Sequence, residues 1–251
     1  MRRLHRVRLG IAALALAGCA PDGPRVDVGA YETETFQISY VFPDSRYGAG
    51  ATLLEVSGDD LPEAIRQARQ VVRDSVDRFL LALAPEAVPD SVDTDFVSVS
   101  GQTDRLFVSD DVYSTLVTLV VGSGGSDGAT VYLPVTVDLD SGEAVRLGDL
   151  FAPGTRWREA LASAVRTATL AAVPGAEAAQ VPTGFEALVG DDPAFTLGPE
   201  ALALHIPPRA LTSAALHPEV AYTALTRHAR QGGVLDRLGG GHPNDRAQRQ
   251  D

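Results

Sequence analysis

From residue 94 to residue 146 the apolar side chains recur at every second position, and Gly- or Asp-rich breaks interrupt them. Residues 96–99, 105–108, 112–121 and 130–139 each read as a strand, because successive side chains on a pleated ribbon point to opposite faces. The breaks are short. Two strands joined by so few residues pair antiparallel, since a parallel pair needs a crossover of roughly a dozen residues or more. Asp140-Ser141-Gly142 supplies turn chemistry ahead of a short strand at 144–146. A chain with such a block must build a sheet of hairpins, and the rest of it has to pack on that sheet.

The flanking segments supply the packing. Residues 36–42 alternate and form a first strand. Asp60, with Glu63 three positions on and Pro62 in the first turn, is placed to cap a helix. Leu61, Ile65, Ala68, Val72, Val76, Phe79 and Leu83 follow helical spacing, arginines and aspartates occupy the other face, and Pro85 ends the run. That polar face is mixed in sign, which suits a helix lying on a sheet rather than on a membrane. A second helix is expected over 155–173, with Trp157, Leu161, Val165, Ala168 and Ala172 on its apolar stripe and Pro174 as its stop. Residues 195–197, 201–206 and 220–225 read as closing strands. Strands and helices in separate blocks predict an α+β fold, an antiparallel or mixed sheet packed by two main helices.

The two ends read differently. Arg2, Arg3, Arg6 and Arg8 precede an apolar run over 9–17. As a helix that run spans ~14 Å, about half a bilayer core, which marks an export signal and not a membrane span. It ends in Leu16-Ala17-Gly18-Cys19, which resembles a bacterial lipobox: cleavage before Cys19 and a diacylglycerol on its thiol. The expected organisation is a signal peptide over 1–18, a flexible tether over 19–35, a module over 36–229 with its parts at 36–110 and 111–229, and a disordered tail over 230–251. The expected location is extracytoplasmic, with the N-terminal lipid holding the chain to the cell membrane or the outer membrane.

Charge narrows the function classes. Acidic residues number 33 against 21 basic ones, and every basic residue is an arginine. Without lysine there is no P-loop lysine and no Schiff-base lysine, and so acidic a chain is a poor ligand for nucleic acid. Four of the arginines fall in the first eighteen residues, so the remainder carries 17 basic and 33 acidic side chains, a formal charge of −16. The single cysteine excludes a disulfide framework and a multi-cysteine metal site.

Several residue sets could carry chemistry. Gly124-Gly125-Ser126-Asp127-Gly128 matches the G-x-S-x-G elbow, but strand alternation resumes at Thr130 where the elbow needs a helix. Asp138, Asp140 and Gly142 resemble the start of a calcium loop, yet the twelfth position is Asp149 and not the bidentate glutamate. A turn accounts for them better. His205, His217, His228 and His242 include no pair at helical spacing, and His205 is expected to face solvent from its strand. Trp157 reads as core. Tyr113, Tyr132 and Tyr222 fall on strands and, with the Pro207-Pro208 corner, form the candidate binding surface. No catalytic set, metal site or cofactor site is expected.

The order of the pieces carries a resemblance. Tyr132-Leu133-Pro134-Val135-Thr136-Val137-Asp138-Leu139-Asp140-Ser141-Gly142-Glu143 runs into Val145-Arg146-Leu147-Gly148-Asp149-Leu150-Phe151 and then a helix. Phe195-Thr196-Leu197-Gly198-Pro199-Glu200-Ala201-Leu202-Ala203-Leu204, Ile206-Pro207-Pro208 and Val220-Ala221-Tyr222 follow. Together they resemble the extracytoplasmic RsiV/PdaC-type module, found in an anti-sigma factor that is a lysozyme receptor and in the non-catalytic part of a peptidoglycan deacetylase. The resemblance implies a cell-envelope lipoprotein with a non-enzymatic binding module, its partner a basic protein such as lysozyme or the peptidoglycan itself. The alternative is an envelope hydrolase, an esterase or a cell-wall glycan hydrolase, working through Ser126 or an acidic pair.

Overall fold

The computed structural model describes residues 23–42, 47–83, 97–123, 128–173, 180–191, 193–208, 210–212 and 214–240. Its larger sheet has six strands: β1 (Arg25–Asp27), β2 (Glu32–Phe42), β3 (Tyr47–Ser57), β4 (Val97–Val108), β5 (Val112–Ser123) and β6 (Ala129–Asp138). They lie in the order β2-β3-β4-β5-β6, with β1 paired to β4. The hairpin block is antiparallel, as its short breaks require. What makes the sheet mixed is β3, which the alternation did not reveal because Gly48, Ala49, Gly50 and Ala51 dilute the apolar signal. It pairs antiparallel with β2 and parallel with β4. Helix α1 (Glu63–Ala82) is the crossover between them.

Strand β4 is one element where two strands were expected. Gly101 through Asp104 is not a turn, and the register slips between Thr103 and Arg105 as a bulge. Gly101 sits at a close approach, because a Cβ there would lie 2.4 Å from Leu119 Cδ2. The bulge also divides the edge of β4. Residues 97–102 pair with β3 and residues 105–107 pair with β1, both parallel. Where β3 leaves, the Leu54 amide donates to Thr103 Oγ1 at 3.0 Å.

Helix α1 buries Ile65, Ala68, Val72, Val76 and Leu80, with Leu61 just before it, against Leu53, Val56, Tyr113, Val117 and Leu119. Asp60 does not cap it. The helix opens after Pro62 without a side-chain cap, and Glu63 turns along the helix to Arg66 and Gln67. Tyr47 pins the far end by donating to the Leu80 carbonyl at 2.7 Å.

The second sheet is β7 (Ala194–Leu197), β8 (Ala201–His205) and β9 (Glu219–Ala221), all antiparallel. The last expected strand stops at Ala221, and residues 222–228 form 3-10 turns instead. Helices α2 (Trp157–Ala172), α3 (Phe185–Val189) and α4 (Val234–Gly240) close a second core around Phe151, Leu161, Val165, Leu202 and Leu204. Trp157 stacks on Phe151 with centroids 4.5 Å apart and meets Phe185 edge-on at 5.5 Å. The stripe of α2 drifts after Val165, so Thr169 is buried and Ala172 is exposed. Ser114 joins the two sheets: its Oγ lies 2.9 Å from Thr136 Oγ1 and accepts the Leu197 amide at 2.9 Å. The architecture is mixed α+β.

Both expected margins of the module shift outward. Residues 25–27 are strand β1 rather than tether, and α4 belongs to the fold where a disordered tail was expected. Val234 and Leu235 are buried, and Arg237 binds Asp111 at 3.1 Å and Asp138 at 2.7 Å. A run of glycines hid two core residues. Among the described residues no helix is long and apolar enough to cross a membrane.

Candidate functional site

A half-open cleft of about 340 Å³ runs between the β1–β4 edge and the small sheet. Leu106, Phe107 and Leu197 contribute apolar surface, and Pro199 and Glu200 stand at the turn between β7 and β8. Glu219 on β9 holds its wall. Its Oε1 takes Arg25 Nη1 at 2.7 Å and Arg105 Nη1 at 2.8 Å, so one carboxylate ties the small sheet to two parallel strands of the large one. Val26 between these charges is 41% exposed, a large apolar side chain left open at the cleft.

A histidine pair stands next to this wall. His205 is buried and does not face solvent, contrary to the strand alternation, because both faces of β8 are covered. Its Nε2 lies 2.9 Å from Thr196 Oγ1 and its Nδ1 lies 2.8 Å from Nδ1 of His217. Tyr132 meets both rings, at 5.9 Å and 5.5 Å between centroids. Burial is the main cause that holds His205 well below the ordinary imidazole range, with His217 and then Arg105 adding to it. Burial and then Arg105 also lower His217, although Asp104 and Glu219 pull the other way. The pair is neutral at pH 7. It shares one proton across the Nδ1–Nδ1 contact, since two facing N–H groups cannot bond.

The expected binding surface does not assemble as one patch. Tyr113 is fully buried, and its hydroxyl finds no hydrogen-bond partner among the described residues; burial, with Glu55 nearby, raises its pKa. Tyr222 is also core, and its hydroxyl donates to the Gly198 carbonyl at 2.6 Å and accepts the Gly198 amide at 3.2 Å. Tyr113 lies on β5 as expected, whereas Tyr222 opens the 3-10 turn after β9; both face inward, toward layers that the local pattern cannot show. Tyr132 is half-buried beside the histidines, Pro207 is exposed and Pro208 is partly so. Leu16, Ala17, Gly18 and Cys19 lie outside the described residues, as does Ser126. The strands on either side of residues 124–127 are β5 and β6, paired antiparallel, whereas the elbow leads from a strand into a helix.

The aspartates that resembled a calcium loop hold a side chain of the protein. Asp138, Asp140 and Asp111 surround the Arg237 guanidinium, and Gly142 takes the positive φ of +72° that the turn demands. Among the described residues no group of three or more His, Cys, Asp or Glu side chains is arranged to hold a metal ion.

Charge collects at one end of the large sheet. The registers bring together the C-terminal ends of β3, β4 and β6 and the N-terminal ends of β2 and β5. Glu32, Asp59, Asp60, Asp110, Asp140 and Glu143 are exposed there. Arg66 pairs with Glu63 and Arg237 with the three aspartates, while Arg146, three residues past Glu143, is exposed.

No protein-family model matches the chain, and no curated protein matches it. Solved structures do. The fold is similar to that of a DUF3298 family protein from Pseudomonas aeruginosa PAO1, with 14% sequence identity and a TM-score of 0.55, over 80% of this chain and 95% of that one. It is similar also to a DUF3298 family member from Bacteroides fragilis NCTC 9343, with 12% identity and a TM-score of 0.52, over 85% and 99% of the two chains. At such identities the likeness is one of fold.

Proposed function

We propose that this chain, whose structural neighbours are DUF3298 family proteins, is a cell-envelope lipoprotein with a non-catalytic module that binds a cationic partner. The partner class is a basic protein such as a lysozyme, or peptidoglycan through its basic groups. The observation that carries this reading is the acidic end of the large sheet. Six exposed carboxylates stand there, while Arg66 and Arg237 are already paired with carboxylates of the chain. Carboxylates left in excess on one face steer cations toward it, and the attraction acts over a Debye length of about 8 Å at physiological salt. The finer likeness to the RsiV/PdaC type of module rests on the motifs at 132–151 and 195–208. Cys19 is the attachment point in this reading, and the lipid is the membrane contact.

The test is retention of the unacylated chain from Ala20 onward on immobilised basic lysozyme and on peptidoglycan. Retention at low salt that fades as ionic strength rises is the expected result. Absence of retention on both at low salt overturns the proposal. A Cys19→Ser variant checks the anchor, because it should lose incorporated fatty acid and leave the membrane fraction.

A further inference from the structure

Strand β2 is an outer strand of the large sheet, and among the described residues nothing pairs with its outer edge. The direction of its backbone groups follows from its neighbour. Leu54 sends its amide away from β2, to Thr103 on β4, so the pair Thr35↔Leu54 exchanges no backbone hydrogen bonds. Thr35 therefore points its own N–H and C=O outward, and by the two-residue period so do Thr33, Gln37 and Ser39. The residues between them face inward, in keeping with the Ile38 carbonyl lying against Gly50 of β3. Side chains sort in the same way: Thr33, Thr35, Gln37 and Ser39 are exposed, while Phe36 and Ile38 pack toward α1.

Natural edges are blunted by charged side chains, proline, a bulge or a short strand. This one carries charge only at its start, in Glu32 and Glu34, and has none of the rest. It is eleven residues long, its pairing with β3 is unbroken in register, and residues 35–42 contain neither a charge nor a proline. We propose that the β2 edge is a docking strand, and that its occupant is an extended segment of a partner polypeptide, neutral in the middle and basic at the end that passes Glu32. The partner's charge rests on the function proposed above; the edge itself does not.

Charge selects this occupant over a second copy. Glu32, Asp59 and Asp60 stand exposed where the edge begins. Antiparallel pairing of two β2 strands would carry this acidic end of each copy toward the Tyr40–Asp77 end of the other, and each copy has an overall charge of −16 after the export signal. A basic segment meets attraction at the same place, and four outward-facing residues each offer it one donor and one acceptor.

Hydrogen exchange on the unacylated chain tests this, with a short synthetic peptide of alternating Val and Thr flanked by lysines as the probe. In the free protein the Thr33, Thr35, Gln37 and Ser39 amides should exchange fast and those of Phe36 and Ile38 slowly. Peptide binding should protect the fast set selectively. Thr35→Pro and Gln37→Pro remove outward donors without touching the β2–β3 ladder, so the fold should survive and affinity should fall at least about tenfold. Thr35→Val keeps the amide and should bind as wild type does. Slow exchange of the outward set in the free monomer, or its onset with dimerisation, overturns the inference, because this chain or its copy then covers the edge. Peptide binding by both proline variants with the affinity of the wild type overturns it as well. Edge protection by the peptide without retention of basic lysozyme or peptidoglycan upholds the docking edge and removes the proposed partners.

Discussion

Glu55 shows what a single carboxylate does when a helix is laid over it. It has no exposed surface, yet it sits on the core face of β3, where the alternation would place an apolar residue. Arg69 and Arg73 reach down from α1, bonding its Oε2 from one side and both oxygens from the other, and Arg73 also covers the Phe36 ring at 3.8 Å. Removing one partner of a buried pair strands the others, so Glu55→Ala should destabilise the protein by about 3–5 kcal/mol, read as a shift of the urea midpoint. The histidine pair responds to protons instead. Burial holds both imidazoles below the ordinary value of 6.5, so the unfolded chain takes up protons that the folded one refuses. Stability should be flat above neutral pH and should fall as pH drops from 6.5 toward 5, before most carboxylates titrate. Melting curves across that window check the sign, and His217→Gln should flatten the slope.

At the scale of elements, α4 and β4 show where sequence patterns speak and where they fail. Strands β5 and β6, both long helices and strands β7 and β8 were legible, since each carries its period over several residues. Helix α4 was not, because Gly232, Gly233, Gly239 and Gly240 surround a short apolar pair whose burial depends on a distant core. Substituting Arg237 by Ala should release this helix and cost about 1–3 kcal/mol, and limited proteolysis should then cut near residue 232. Strand β3 was missed for a similar reason, since its glycines and alanines give little apolar signal. The break at Gly101 was misread because a bulge and a turn use the same residue types. Gly101→Ala should push Leu119 out of its buried place and lower stability by about 1–3 kcal/mol in thermal denaturation. Of the candidate surface residues, Tyr132 is half-buried, Pro207 is exposed and Pro208 is partly so. The His205–His217 contact joins residues twelve apart across a strand and its return segment, so no local period could announce it.

For the whole molecule, the question is whether two sheets make two folding units. Phe107 and Val112 belong to the second core, while Leu106, Val108 and Tyr113 beside them belong to the first. The hairpin of β4 and β5 thus serves both, and Ser114 binds across the junction. Trp157, the single tryptophan, reports on the second core. Its fluorescence and the far-UV circular dichroism should therefore change together in denaturant, as one transition. A fluorescence change that precedes the dichroism would mean that the small sheet opens by itself.

The division of the β4 edge between β3 and β1 bears on how the molecule meets a mechanical load. Strand β1 comes first in the chain, but it rests on β4, some eighty residues later, through a ladder of three residues and the Arg25–Glu219 contact. Any tension entering from the N-terminal side is taken up there, ahead of the long β2–β3 ladder. Strand β1 is thus the weak link of the fold, able to peel away under force while the eleven-residue strands behind it stay zipped.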